Sequence, residues 1–210
     1  MYQRNFHTFK QPLPNLSHVS SMLVNTMKIL ESSKIDHGLI SIASSRLSVT
    51  ELILPLFDKL SSLFESQHSR KEFPLVYIIS DVKNIPFSYL VDKLTMSGLN
   101  EQELQLAFAK VKFSQCFDLQ GFVQIIEEIL TSNESSKLVN TIVLNLKEMF
   151  NRAELNDNPL ETHSLLNDVL MKIRKRMKLT PDQAVYFLNT SETVNDSWML
   201  DYYIDQKITC

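Results

Sequence analysis

Gly38-Leu-Ile-Ser-Ile-Ala43 is a short apolar, β-branched run led by a glycine, and Ser44-Ser-Arg-Leu-Ser48 behind it is polar. Leu52, Ile53, Leu56, Phe57, Leu60 and Phe64 then recur at intervals of three and four. The first pattern predicts a buried strand, the second a turn, and the third an amphipathic helix. Pro55 is expected in the first turn of that helix, where a missing N–H is tolerated.

Downstream the same alternation repeats. Residues 74–79, PLVYII, are continuously apolar, which predicts a strand covered on both faces and therefore paired in parallel. Residues 141–145, TIVLN, and 184–188, AVYFL, read the same way. Residues 111–117, VKFSQCF, alternate like a half-buried or edge strand, and 198–208 contain one further candidate. Between the strands lie predicted helices at 87–94, 101–109, 119–130 and 161–177. The last turns Leu165, Leu166, Val169, Leu170, Ile173 and Met177 inward. Residues 146–159 read as a polar connector. Upstream, Leu16, Val19, Met22, Leu23, Met27 and Leu30 predict a helix, and residues 1–15, with Pro12 and Pro14, an arm. Strands alternating with helices predict an α/β domain over 16–210, a mostly parallel twisted sheet with helices on both faces.

Composition narrows the function classes. With 44% hydrophobic and 21% charged residues the 210-residue chain is ordinary for a globular protein. A net charge of −3 and a pI near 6.0 give no global positive field for nucleic acid or an anionic membrane. Cys116 and Cys210 are the only cysteines, and His7, His18, His37, His68 and His163 are scattered singly. Neither a disulfide framework nor a zinc site is expected, and a reducing compartment is. No apolar run approaches a bilayer span, and the N-terminus lacks a secretory pattern. Ser44 and Ser45 follow a strand but lack the glycines of a nucleophile elbow.

The order of these elements resembles the P-loop core ATPase domain of RecA-type recombinases, most of all the eukaryotic recombinase paralogues that assist strand exchange. In that family a glycine-led strand runs into GxxxxGK[ST] and a helix; here Ala43-Ser-Ser-Arg-Leu-Ser-Val-Thr50 stands there. Ala43 and Ser48 take the glycine places, Val49 takes that of the phosphate-neutralising lysine, and only Thr50 matches. Val82 or Lys83 falls near the position of the glutamate that orients water, and Asp81 fills that role only with a one-residue slip. Residues 141–145 resemble the Walker B strand, with Asn145 where the magnesium-linked aspartate belongs; an amide carries no charge for a hard cation.

The resemblance implies a catalytically silent paralogue without cofactor or metal. It is similar to the small core-only subunits of Shu-like complexes. Those pair with a second recombinase paralogue and a SWIM-domain protein in the nucleus to promote recombinase filament assembly in homologous-recombination repair. Two other readings stand beside it: a P-loop-derived enzyme holding nucleotide through Arg46, Lys83 or a partner's lysine, and an architectural scaffold unrelated to DNA.

Candidate contact residues follow. Lys172, Arg174, Lys175, Arg176 and Lys178 place five cations in seven residues, enough to track phosphates or to solvate the end of a helix. The segment 191–197 matches the family's second DNA loop in position but carries two acids and no base. Phe6 and Phe9 of the arm resemble linker aromatics that insert into a neighbouring core. Trp198, Tyr202 and Tyr203 serve either a partner interface or the core.

Overall fold

A computed structural model of the chain describes residues 37–44, 47–67, 75–82, 84–131, 139–179, 183–190 and 199–209. The helix predicted at 16–30 and the arm with Phe6 and Phe9 lie outside the described residues. Six strands are present: β1 Gly38–Ser44, β2 Leu75–Ser80, β3 Val111–Gln115, β4 Val139–Leu144, β5 Ala184–Thr190 and β6 Gln206–Thr209. They form one sheet in the order β3-β2-β4-β5-β1-β6, and every pairing is parallel. The helices are α1 Val49–Gln67, α2 Phe87–Met96, α3 Glu101–Phe108, α4 Leu119–Thr131, α5 Leu146–Asn156 and α6 Pro159–Leu179.

The side-chain period of two explains how one sheet feeds two cores. Ile40, Ile42, Val76, Ile78, Ile142, Leu144, Tyr186 and Leu188 pack with α1, α2 and α3. Their neighbours Leu39, Ile79, Val143, Val185 and Phe187 pack with α4, α5 and α6. From β1 the chain crosses to β2 and then β3, and it returns through β4 to β5, so each direction of travel lays its helices on one face. In α1, Leu52, Ile53 and Phe57 are fully buried, each contributing about 2 kcal/mol of transfer free energy. The strand read as half-buried or edge, β3, pairs with β2 alone and is mostly exposed.

Two expectations need correction. Pro55 is the seventh residue of α1 rather than a first-turn residue, because Ser48 caps the helix and starts it at Val49. Its ring is buried in the core, and the carbonyl of Glu51, four residues back, loses its helical donor. Residues 146–159 are not a connector. Leu146, Met149, Phe150 and Ala153 form the buried stripe of α5, hidden in sequence by the polar residues between them. The strand expected within 198–208 is present as the short β6, preceded by a 3-10 turn, Met199–Tyr202.

A charged clamp joins α1 to α2. The Tyr89 hydroxyl donates to both carboxylate oxygens of Asp58 at 2.9 Å, and Lys93 Nζ lies 2.8 Å from Asp58 Oδ1. Burial, and then the bond to Asp58, push the Tyr89 phenol above its ordinary pKa; the Asp58 bond does the same to Lys93. Both protonated forms are favoured by the fold. Their contribution is therefore whole below the ordinary values and is lost as pH climbs through the raised ones. The urea midpoint should fall above about pH 10, and Tyr89→Phe should make that fall shallower. Equal slopes in the two proteins would refute the clamp.

Candidate functional site

Parallel α/β sheets bind ligands outside the carboxyl ends of their strands, where neighbouring strands send the chain to opposite faces. Here β2 leaves toward α2 on one face and its neighbour β4 leads into α5 on the other. The crevice between them holds Ser80, Asp81 and Asn145, with Arg152 reaching in from α5. Asn145 Nδ2 donates to Asp81 Oδ1 at 3.1 Å, and Arg152 Nη2 donates to Asp81 Oδ2, also at 3.1 Å. Both oxygens of the acid thus have internal donors. Asp81 and Asn145, the two separate candidates of the sequence, meet in one contact, whereas Lys83 lies outside the described residues.

Asn145 ends β4 in a left-handed conformation, φ 59°, the one non-glycine residue with positive φ among the described residues. Its N–H donates to the Leu188 carbonyl on β5, and its own carbonyl accepts from Met149, opening α5. Three other strand ends are closed by side chains. Ser44 Oγ accepts from the Leu47 N–H, Ser80 Oγ from the Val82 N–H, and Asn189 Oδ1 from the Lys147 N–H.

The segment that resembles a phosphate loop is tied up in the same manner. Ala43 still belongs to β1, paired with Asn189 and Thr209, so it does not begin a loop. Val49 is buried among Leu52 and Ile53, which turns the position of the lysine into core. Ser48 and Glu51 form a capping box: the carboxylate accepts from the Ser48 N–H at 2.8 Å and from its hydroxyl at 2.7 Å, and Ser48 Oγ accepts from the Glu51 N–H. The positive end of α1, where a phosphate would dock, already carries a tethered carboxylate. The Ser-x-x-Glu signature of this cap stood in the sequence, masked by assigning Ser48 to a glycine place. Thr50 is half-buried in the first turn, and Arg46 is not among the described residues.

The basic run on α6 divides. Lys172 is paired with Glu127 of α4 at 2.5 Å, which raises its pKa. Arg174 is paired with Asp205 Oδ1 at 2.8 Å and donates to the Tyr203 carbonyl, which binds α6 to the segment before β6. Arg176 flanks a small apolar cavity with Tyr77 and Ile173. Lys175 and Lys178 are exposed. Of the aromatics, Tyr203 is half-buried and donates to Asn167 Oδ1, Tyr202 is 89% exposed, and Trp198 lies outside the described residues. So does the loop at 191–197.

A groove of about 740 Å³ opens beside the crevice between α4, α5 and the start of α6, lined by Arg152 with Asp118, Asp157 and Glu161. Cys116 is buried near it. Its thiol donates to the Asp118 carbonyl, and desolvation pushes its pKa up, the opposite of what a nucleophile needs. Among the described residues no group of three potential metal ligands occurs, and no helix is long and apolar enough to cross a membrane. No protein-family model matches the chain, and no curated protein matches it significantly.

Proposed function

We propose that this chain is a non-catalytic subunit of a heteromeric recombinase-paralogue complex that promotes homologous-recombination DNA repair by assisting recombinase filament assembly. One observation carries the reading. The two places where a Mg-nucleotide would be held, the start of α1 and the carboxyl ends of β2 and β4, have their charges met by the protein's own groups. Val49 in the core and an amide at Asn145 support the same conclusion, since neither supplies the cation or the anion that phosphate and magnesium need.

A chain of this kind works through contact. Its partners in this reading are a second recombinase paralogue, a SWIM-domain protein and the recombinase filament, in the nucleus. Lys175 and Lys178 are the members of the basic run best placed to touch a DNA backbone, because Lys172 and Arg174 are committed to Glu127 and Asp205. The chain purified from its native cell should bring down a second recombinase paralogue, identified by mass spectrometry. It should also show no ATP turnover that depends on its own residues. ATP hydrolysis abolished by Thr50→Ala or Asn145→Ala would overturn the proposal.

A further inference from the structure

Asn145 combines two features that are costly together. Its left-handed backbone is tolerated by asparagine but costs on the order of 1 kcal/mol, and such outliers persist only where the surroundings over-determine them. Its Oδ1 is buried with no hydrogen-bond partner, worth roughly 1–3 kcal/mol, because the amide spends its nitrogen on Asp81.

Asp81 explains the orientation. Its side chain is only 12% exposed, so its negative charge requires donors, and it takes one from Asn145 and one from Arg152. Arg152, by contrast, is 47% exposed and stands at the mouth of the 740 Å³ groove. The guanidinium is thus a solvent-side plug on an inward-facing acid. Without it, a half turn of the Asn145 amide would set its orphan oxygen in the nitrogen's place against Asp81 Oδ1, beside a carboxylate whose other oxygen has lost its donor. Three such oxygens are the ligand type that hard divalent cations take.

We propose that Arg152 is a built-in counter-ion: its guanidinium takes the place beside Asp81 that a divalent cation would otherwise fill, and its removal turns the crevice of Asp81 and Asn145 into a cation site. This needs only the geometry of the three side chains and holds whatever assembly the chain joins.

Mn²⁺ is the probe, followed by the electron-paramagnetic signal of the free ion and by thermal unfolding of the full chain. Wild type should show no saturable binding. Arg152→Gln should lose stability in metal-free buffer, bind one Mn²⁺ at least about tenfold more tightly than wild type, and regain stability with it. Asp81→Asn with Arg152→Gln, which removes both charges, should fold without metal and bind none. Metal-dependent folding of Arg152→Gln would likewise be the expected result. A wild type that binds Mn²⁺ as well as Arg152→Gln would overturn the proposal. So would an Arg152→Gln protein that binds none when folded, or that folds in neither buffer while the double variant does.

Discussion

Phe187→Ala is expected to destabilise the protein by about 4 kcal/mol, read as a lower urea midpoint at unchanged slope. Phe187 is fully buried on β5, which lies between β4 and β1, and belongs to the cluster that holds Leu166, Val169 and Leu170 of α6. Truncation removes a large transfer term and leaves a cavity between sheet and helix that rigid neighbours cannot close. That is a large share of a domain's margin of roughly 5–15 kcal/mol. Phe113→Ala is the control. That ring, on edge strand β3, is 39% exposed and meets Phe87 edge-on at 5.7 Å, so its loss should cost well under half as much. Equal losses would contradict the placement of β5 in the middle of the sheet.

Gly38→Ala is expected to cost about 3 kcal/mol. Gly38 opens β1 at φ +95°, and a Cβ there would lie 2.6 Å from Asp205 Oδ2. That oxygen is committed: it accepts from the Leu39 N–H at 2.9 Å, while Oδ1 holds Arg174 at 2.8 Å and the Asp205 N–H donates to the Leu39 carbonyl. Alanine pays the left-handed penalty, about 1–2 kcal/mol, and must also displace a carboxylate that joins β1, α6 and the approach to β6. Asp205→Ala tests the mechanism, since adding Gly38→Ala to it should cost only the backbone part. Additive losses would show that the two residues act independently.

The site carries an electrostatic lesson for function. A nucleotide crevice in a parallel sheet works because its donors and charges are left open for the ligand. Here Glu51 and Arg152 meet those charges from within the chain. A phosphate would have to displace a covalently attached carboxylate at α1, and a cation would have to displace a guanidinium at Asp81. Both exchanges start from a disadvantage, and the proposed non-catalytic role rests on it.

The sequence by itself determined the class of fold. Apolar runs within 74–79, 141–145 and 184–188 point to strands buried on both faces, and parallel pairing under two helical layers provides that burial. The alternation at 111–117 likewise marked a half-buried or edge strand, and Val49 and Asn145 were legible as residue types that supply neither a cation nor an anion. Tertiary structure decided the rest. No local pattern says that Asp81 will meet Asn145 and Arg152, because strand order, which brings β2 beside β4, follows from how the crossovers pack, not from neighbours along the chain. The same packing committed Lys172 and Arg174 to Glu127 and Asp205 and left Lys175 and Lys178 outward. Charge is written residue by residue; whether it is free to bind depends on what folding sets against it.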